Sequence, residues 1–144
     1  MNKVDCFDGK YAFLSNFSPS PIVFDCVTYP TVEHFFQALK SLNRDERRSI
    51  AAAASPGKAK RMGRQVKLRE DWEDIKLDVM REGLRLKFKD PKLKAKLLAT
   101  GDAYLEEGNT WHDTYWGVCN GIGQNHLGLL LMEIREELQN QDAN

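Results

Sequence analysis

The stretch Thr31-Val32-Glu33-His34-Phe35-Phe36-Gln37-Ala38-Leu39-Lys40 decides how this 144-residue chain folds. Val32, Phe35, Phe36 and Leu39 fall at i, i+3, i+4 and i+7, the spacing of one buried helical face. Pro30 and Thr31 supply the helix start. Glu33, Gln37 and Lys40 fall at i, i+4 and i+7, so a carboxylate, an amide and an amine share a second stripe. That stripe has two readings. It is a solvated face, the common fate of charges on helices, or it is the wall of a pocket beside an apolar core.

Immediately before this helix, Ile22-Val23-Phe24-Asp25-Cys26-Val27-Thr28-Tyr29 reads as a short hairpin turning at Asp25-Cys26. Further back, Phe13-Leu14-Ser15-Asn16-Phe17-Ser18-Pro19 reads as a loop rich in aromatics and turn formers. On the other side, residues 44–54 predict a second helix ending in four alanines. Ser55-Pro56 is a cap followed by proline at the first helical position, and predicts a short helix to about Gly63. Residues 71–88 predict the longest helix, with Asp71 as its cap. Asp90-Pro91 opens another that ends near Thr100-Gly101. A last helix over about 126–139 buries Leu127, Leu130, Leu131, Ile134 and Leu138. The fold class is α+β: a mostly helical single domain over residues 1–144, with a small N-terminal antiparallel β-sheet.

On a helical wheel of residues 72–88, Trp72, Ile75, Leu77, Val79, Met80, Gly83, Leu84 and Leu86 spread over one broad apolar arc. Lys87 falls inside it, between Gly83 and Met80, with Lys76 close by. Either the amines snorkel to water along packed stems, or they line a cavity. A desolvated amine has a lowered pKa and becomes nucleophilic near neutrality.

Charge is distributed unevenly along a chain whose formal net charge is zero. Residues 56–96 hold fourteen basic and seven acidic side chains; residues 97–144 hold one basic and eight acidic. The basic middle suits a phosphate-bearing ligand, and zero net charge argues against non-specific nucleic-acid binding. The chain has no run of 18 apolar residues and no apolar signal segment at its N-terminus, so a cytoplasmic, non-membrane setting is expected. Cys6, Cys26 and Cys119 form no CxxC pair, and none has zinc-ligand spacing to His34, His112 or His126. Reduced thiols and no metal are expected.

Residues 108–125 form a loop with four glycines, three asparagines, two tryptophans and Asp113. Unstructured segments of this length commonly carry function. Glu33 and Asp113 are two carboxylates in candidate site contexts. Trp72, Trp111 and Trp116 offer flat surfaces for a base. Lys60 and Arg64 lie in the basic run 57–64 around a helix start, where amides and cations favour phosphate. Neither a Walker sequence nor a GxGxxG is present. Carboxylates, stacking rings and a phosphate clamp point to a nucleotide-like ligand, with glycosidic cleavage the best chemical fit.

The chain resembles the NADAR family, also called YbiA-like or DUF1768, over nearly its whole length. The resemblance is carried by Phe13-Leu14-Ser15-Asn16-Phe17, Tyr29-Pro30 with Thr31 through Lys40, and Ala59-Lys60-Arg61-Met62-Gly63-Arg64. It continues through Trp72 with Met80, Lys87-Phe88, Asp113 with Trp116-Gly117, and Asn125-His126-Leu127-Gly128 with Leu131-Met132 and Arg135. Cys26 stands where the family usually has glycine.

The resemblance implies a cofactor-free N-glycosidase acting on ribose-linked substrates. These are phosphoribosylamino-pyrimidine intermediates of riboflavin synthesis, ADP-ribose attached to guanine in nucleic acid, or NAD-derived molecules. Carried over by position, Glu33 and Asp113 are the catalytic carboxylates. Trp72 and Trp116 shape the pocket, and Asn16, Phe17, Lys40, Lys60, Arg64 and Asn125 join them in binding substrate. A lysine forming a Schiff base with the opened ribose is a mechanism proposed for such chemistry. Lys87 is the first choice, with Lys40 and Lys60 as alternatives. Two other classes compete: a nucleotide- or ADP-ribose-binding module without catalysis, and a purely structural domain. Oligomeric state is left open.

Overall fold

A computed structural model describes residues 2–143 of the chain. In chain order it contains strand β1 (Lys3–Val4), a 3-10 helix (Gly9–Leu14), strands β2 (Ile22–Phe24) and β3 (Val27–Tyr29), and helices α1 (Val32–Ala38), α2 (Arg44–Ala51), α3 (Pro56–Gly63), α4 (Trp72–Lys87) and α5 (Pro91–Ala99). Strand β4 (Tyr104–Leu105) and helix α6 (His126–Ala143) complete it. This is the mostly helical α+β fold with a small antiparallel sheet that the sequence predicts. The backbone divides into two compact units, one of Asn16–Lys87 and one of the residues up to Ser15 together with those from Phe88 onward. No helix among the described residues is long and apolar enough to cross a membrane.

Within Asn16–Lys87, α1 is the centre, and all seven of its residues are buried. Thr31 Oγ1 accepts from the His34 amide at 3.1 Å and so caps the helix. Phe35 takes edge contacts from Phe24 and Tyr29, with ring centroids at 5.3 and 5.6 Å. Helix α4 crosses α1 at Gly83, where a Cβ would stand 2.9 Å from Phe35 Cδ2. Ser55 and Asp90 cap α3 and α5 as expected, accepting from the amides of Lys58 and of Lys92 and Leu93.

Strands β2 and β3 pair in antiparallel register, Ile22 with Tyr29 and Phe24 with Val27. Asp25 and Cys26 both have positive φ, 51° and 65°. Two left-handed residues at the turn match the twist of the strands, and glycine meets that requirement with no Cβ penalty. Cys26→Gly is therefore expected to stabilise the protein by about 1 kcal/mol, read as a shift of the urea midpoint at unchanged slope.

Three assignments differ from expectation, and the cap at Asp71 stands in the expected place but forms through the backbone alone. Helix α2 stops at Ala51 rather than 54, because the Ala53 carbonyl turns to His34 Nε2 at 3.1 Å and Ala53 is buried. Phe13 and Leu14 belong to the 3-10 helix, not a loop, and are buried. Asp71 begins α4 through its carbonyl, which accepts from Asp74 and Ile75, while its carboxylate is taken by the Arg69 guanidinium. Helix α6 runs on to Ala143, and Leu138 is only half-buried.

In the second unit, β1 and β4 form a parallel pair that the sequence reading did not contain, Lys3 with Tyr104 and Val4 with Leu105. Leu127, Leu130, Leu131 and Ile134 of α6 supply its core. Arg135 is buried beside them and donates to Thr100 Oγ1 and the Ala103 carbonyl, both at 2.9 Å.

Candidate active site

Glu33 and Gln37 of the α1 polar stripe are buried, so the stripe is not a solvated face there. Glu33 is 8% exposed and Gln37 4%. Gln37 Nε2 donates to Glu33 Oε2 at 2.5 Å, the i,i+4 contact that the helix period sets up. The Glu33 amide donates to the Asn16 carbonyl at 3.1 Å, which ties the loop before the hairpin to the first turn of α1. Burial pushes the Glu33 carboxyl above its usual pKa. The bond from Gln37 and the charges of Lys60 and Lys40 oppose that rise without cancelling it.

Lys40 lies just past the end of α1, in a turn whose amide donates to the Gln37 carbonyl. Its Nζ stands 6.0 Å over the Phe36 ring. Burial lowers its pKa; Glu33 pulls it back up, while Arg64, Lys60 and Lys76 push it further down. Lys40 thus feels three other cations, Lys60, Arg64 and Lys76, and one carboxylate, Glu33, which itself feels Lys60 and Lys40. Lys76 is also paired with Glu73 at 2.9 Å.

The expected position of the phosphate clamp needs correcting. Lys60 lies in the second half of α3 and Arg64 is its C-cap. The start of α3 is some 6–12 Å away along the axis at the helical rise, and the Lys58 amide there is already taken by Ser55. Attraction for an anion at Lys60 and Arg64 comes from their side chains, not from helix N-terminal amides.

Lys87 is 1% exposed, so the snorkelling reading does not hold: amine and stem are buried together. Its pKa falls to about 7, and burial is the cause. It sits seven residues beyond Met80 on the same face of α4. Met80 Sδ receives Asn16 Nδ2 at 3.4 Å. Asn16 Oδ1 is buried with no hydrogen-bond partner, and so is Gln37 Oε1. A buried amide oxygen left open in this way is a ready acceptor for a ligand group.

Trp72 is 4% exposed and packs on Phe36 with centroids 5.0 Å apart, so its ring serves the interior. Phe17, next to Asn16, is 45% exposed and presents the accessible ring of this unit's candidates. A cavity of about 660 Å³ lies beyond the end of α1, lined in part by Leu42, Lys67, Leu68 and Arg69. None of the candidate residues lines it, and it is set apart from the Glu33 cluster on that ground.

The remaining candidates belong to the second unit. Asp113 Oδ1 accepts from the Tyr115 and Trp116 amides at 3.1 and 2.9 Å. Asn109 bridges the same loop, its Oδ1 accepting from the Asp113 amide and its Nδ2 donating to the Asp113 carbonyl. Asn125 has φ 55° and is buried. Its Nδ2 donates to the Leu105 carbonyl at 2.9 Å and its Oδ1 accepts from the Glu107 amide at 3.0 Å. Trp116 is half-buried, edge-on to Tyr115 at 4.8 Å. Gly117 allows the loop to close: a Cβ there would stand 2.2 Å from the Glu107 carbonyl oxygen.

Gln37, part of the stripe read from the sequence, lies against Glu33, and Gly63 lies against Gln37. Gln37 was visible at i+4 from Glu33. Gly63 was not, because nothing local shows that α3 lies against α1.

The family model described as NADAR domain matches residues 5–139. The chain is 49% identical over 132 residues to N-glycosidase YbiA of Shigella boydii, covering 89% of this chain and 82% of that protein. It is 38% identical over 136 residues to riboflavin biosynthesis protein VVA0006 of Vibrio vulnificus, covering 92% of this chain and 37% of that longer protein. The solution structure of Escherichia coli YbiA superposes with a TM-score of 0.87 at 43% identity, over 100% of this chain and 90% of that one.

Proposed function

This chain belongs to the NADAR domain family, and we propose that it is an N-glycosidase that hydrolyses the bond between ribose and a base nitrogen in a phosphorylated, nucleotide-like substrate. The observation that carries this reading is the Glu33 carboxyl, buried, held by Gln37 and acted on by the charges of Lys60 and Lys40, with Arg64 acting in turn on Lys40. A carboxyl that keeps its proton to higher pH than usual is suited to protonate a departing nitrogen. The cations around it are suited to a sugar phosphate.

In this mechanism Lys60 and Arg64 hold the phosphate, with Lys40 beside them. Phe17 offers a ring for the base, and Asn16 Oδ1 accepts from a sugar hydroxyl. The C1′–O4′ bond breaks as the base-nitrogen lone pair forms a C1′=N iminium, O4′ takes its proton from Glu33, and the proton that the lysine amine releases on adding to C1′ returns to Glu33. The Lys87 amine, a large fraction of it neutral near pH 7, adds to C1′. A proton passes from Glu33 to the base nitrogen, which leaves with the electron pair of its bond to C1′. The lysine imine that remains is hydrolysed by water to a free aldehyde and a free amine, and the sugar closes again. Asn125, whose amide is taken up by backbone groups, shapes the loop around Trp116, and Asp113, whose Oδ1 is held by two backbone amides, keeps its second carboxylate oxygen for the role of second catalytic carboxylate. The setting is cytoplasmic, in keeping with three free thiols.

Two substrate classes remain to be separated. Phosphoribosylamino-pyrimidines carry one phosphate and an exocyclic amine, and the likeness to a riboflavin biosynthesis protein favours them. ADP-ribose on guanine carries two phosphates. Mass spectrometry of products from both, and from NAD and ADP-ribose, is expected to show free pyrimidine and ribose phosphate from the first class. Release of ADP-ribose from modified DNA would move the assignment to the second. Binding of these ligands without any product would favour a non-catalytic nucleotide-binding module.

A further inference from the structure

We propose that Gln37 is the positioning residue of Glu33, and that Gly63 is what allows it to take that position; the inference rests on the reading that Glu33 carries the proton in the reaction. Gln37 is buried between two elements. On one side its Nε2 donates to Glu33 Oε2 at 2.5 Å. On the other it lies against Gly63, at the last turn of α3. A Cβ at position 63 would stand 2.0 Å from Gln37 Oε1, 2.9 Å from its Cδ and 3.0 Å from its Cβ. The amide therefore has no room to withdraw from Glu33 towards α3, and any side chain at 63 displaces it.

The orientation of the amide follows from the same contacts. Gln37 Oε1 is buried over Gly63 with no hydrogen-bond partner. Turning the amide over would set its oxygen against an ionised Glu33 oxygen, so the ionised carboxylate selects the observed orientation. One pole of a buried amide is left open in order that the other hold the carboxylate, which is an arrangement a purely structural glutamine does not need. A Cβ at position 63 would collide with the Gln37 amide, and the glycine there is explained by the amide it admits. Through this contact α3, which carries Lys60 and has Arg64 at its end, bears directly on the group that fixes Glu33. Seating an anion on α3 and aiming the Glu33 carboxyl are linked through one side chain.

Gln37→Met keeps the length of the side chain and removes the donor. Loss of a hydrogen bond to the ionised form raises the pKa of Glu33, so its titration midpoint is expected to move to higher pH by about one pH unit. Carbon-detected NMR of the carboxyl of Glu33 reads this without any substrate. Turnover is expected to fall on the order of 100-fold with little change in KM, and the Glu33-dependent limb of the kcat–pH profile is expected to move with the midpoint. Gly63→Ala is expected to reproduce both effects while leaving the Gln37 side chain in the sequence. Should Gly63→Ala fail to fold, Gln37→Met alone decides. An unmoved Glu33 midpoint in a folded Gln37→Met protein overturns the inference, whatever the rate does. A moved midpoint with an unchanged rate and profile overturns the catalytic reading of Glu33, and with it the role of Gln37 in the reaction.

Discussion

Lys87→Met is expected to give a protein that is more stable than the parent at pH 7 and has lost turnover. The side chain is 1% exposed and its amine has a pKa of about 7 instead of 10.5. The unfolded chain holds the proton below 10.5; the folded chain releases it until about 7. Stability is therefore highest above pH 10.5 and is lost as pH falls to about 7, below which the loss is constant. At 1.36 kcal/mol for each pH unit of that interval, the cost at and below pH 7 is on the order of 5 kcal/mol. Methionine fills similar volume with no charge to desolvate, so the gain in the variant is expected to be several kcal/mol at pH 6–7 and to vanish above about pH 10.5. Urea denaturation at pH 6.5, 8.5 and 10.5 reads it. A residue kept at such a cost has a use other than packing. If that use is imine formation, borohydride added during turnover attaches the sugar to the wild-type chain at Lys87. Lys87→Arg, whose guanidinium forms no imine, is then as inactive as Lys87→Met. An active Lys87→Met removes the covalent role from this residue, and the position of the borohydride adduct then decides between Lys40 and Lys60.

The second large effect is at Glu33. Glu33→Gln removes the titrating proton and keeps an oxygen for Gln37 Nε2, so the α1 stripe stays intact. Turnover is expected to fall 10²–10⁴-fold, the usual contribution of general acid–base catalysis. Stability moves the other way. Burial raises the folded pKa of this carboxyl, so its contribution is fully present below the unfolded value and is lost as pH rises through the folded one. The variant should match the parent near pH 4 and exceed it above neutrality. A fully active Glu33→Gln enzyme would exclude Glu33 as the proton donor. Equal stabilisation at every pH would show that its carboxyl has an ordinary environment in solution.

Much of the architecture is readable from local pattern. The hairpin, α1, and the Ser55-Pro56 and Asp90-Pro91 starts depend on residues a few positions apart, and these match. What was not readable depends on distant parts of the chain. The alanine run after Ile50 carries no stop signal; the helix ends because the Ala53 carbonyl is claimed by His34, nineteen residues earlier. The pairing of Lys3–Val4 with Tyr104–Leu105 involves two residues a side, too few to leave a periodic mark. At the site, Glu33 and Gln37 are legible as i,i+4 partners. The contact of Gln37 with Gly63 requires knowing how two helices pack. Asn125 shows a further limit: the chain advertises its amide but not that the Glu107 amide and the Leu105 carbonyl already engage it.

The pairing of β1 with β4 also bears on how the protein is made. Asn16–Lys87 is one uninterrupted stretch, so every contact inside it becomes available once residue 87 has left the ribosome. The other unit has its first strand at Lys3–Val4 and the partner of that strand at Tyr104–Leu105. Lys3 and Val4 are therefore synthesised long before Tyr104 and Leu105, and the first strand waits for its partner. During that interval the N-terminal arm is an unpaired strand edge, and a delay in elongation after residue 87 lengthens its exposure. A nascent chain stalled there presents the whole Glu33–Gln37–Gly63 stretch while the second unit still lacks the partner of its first strand.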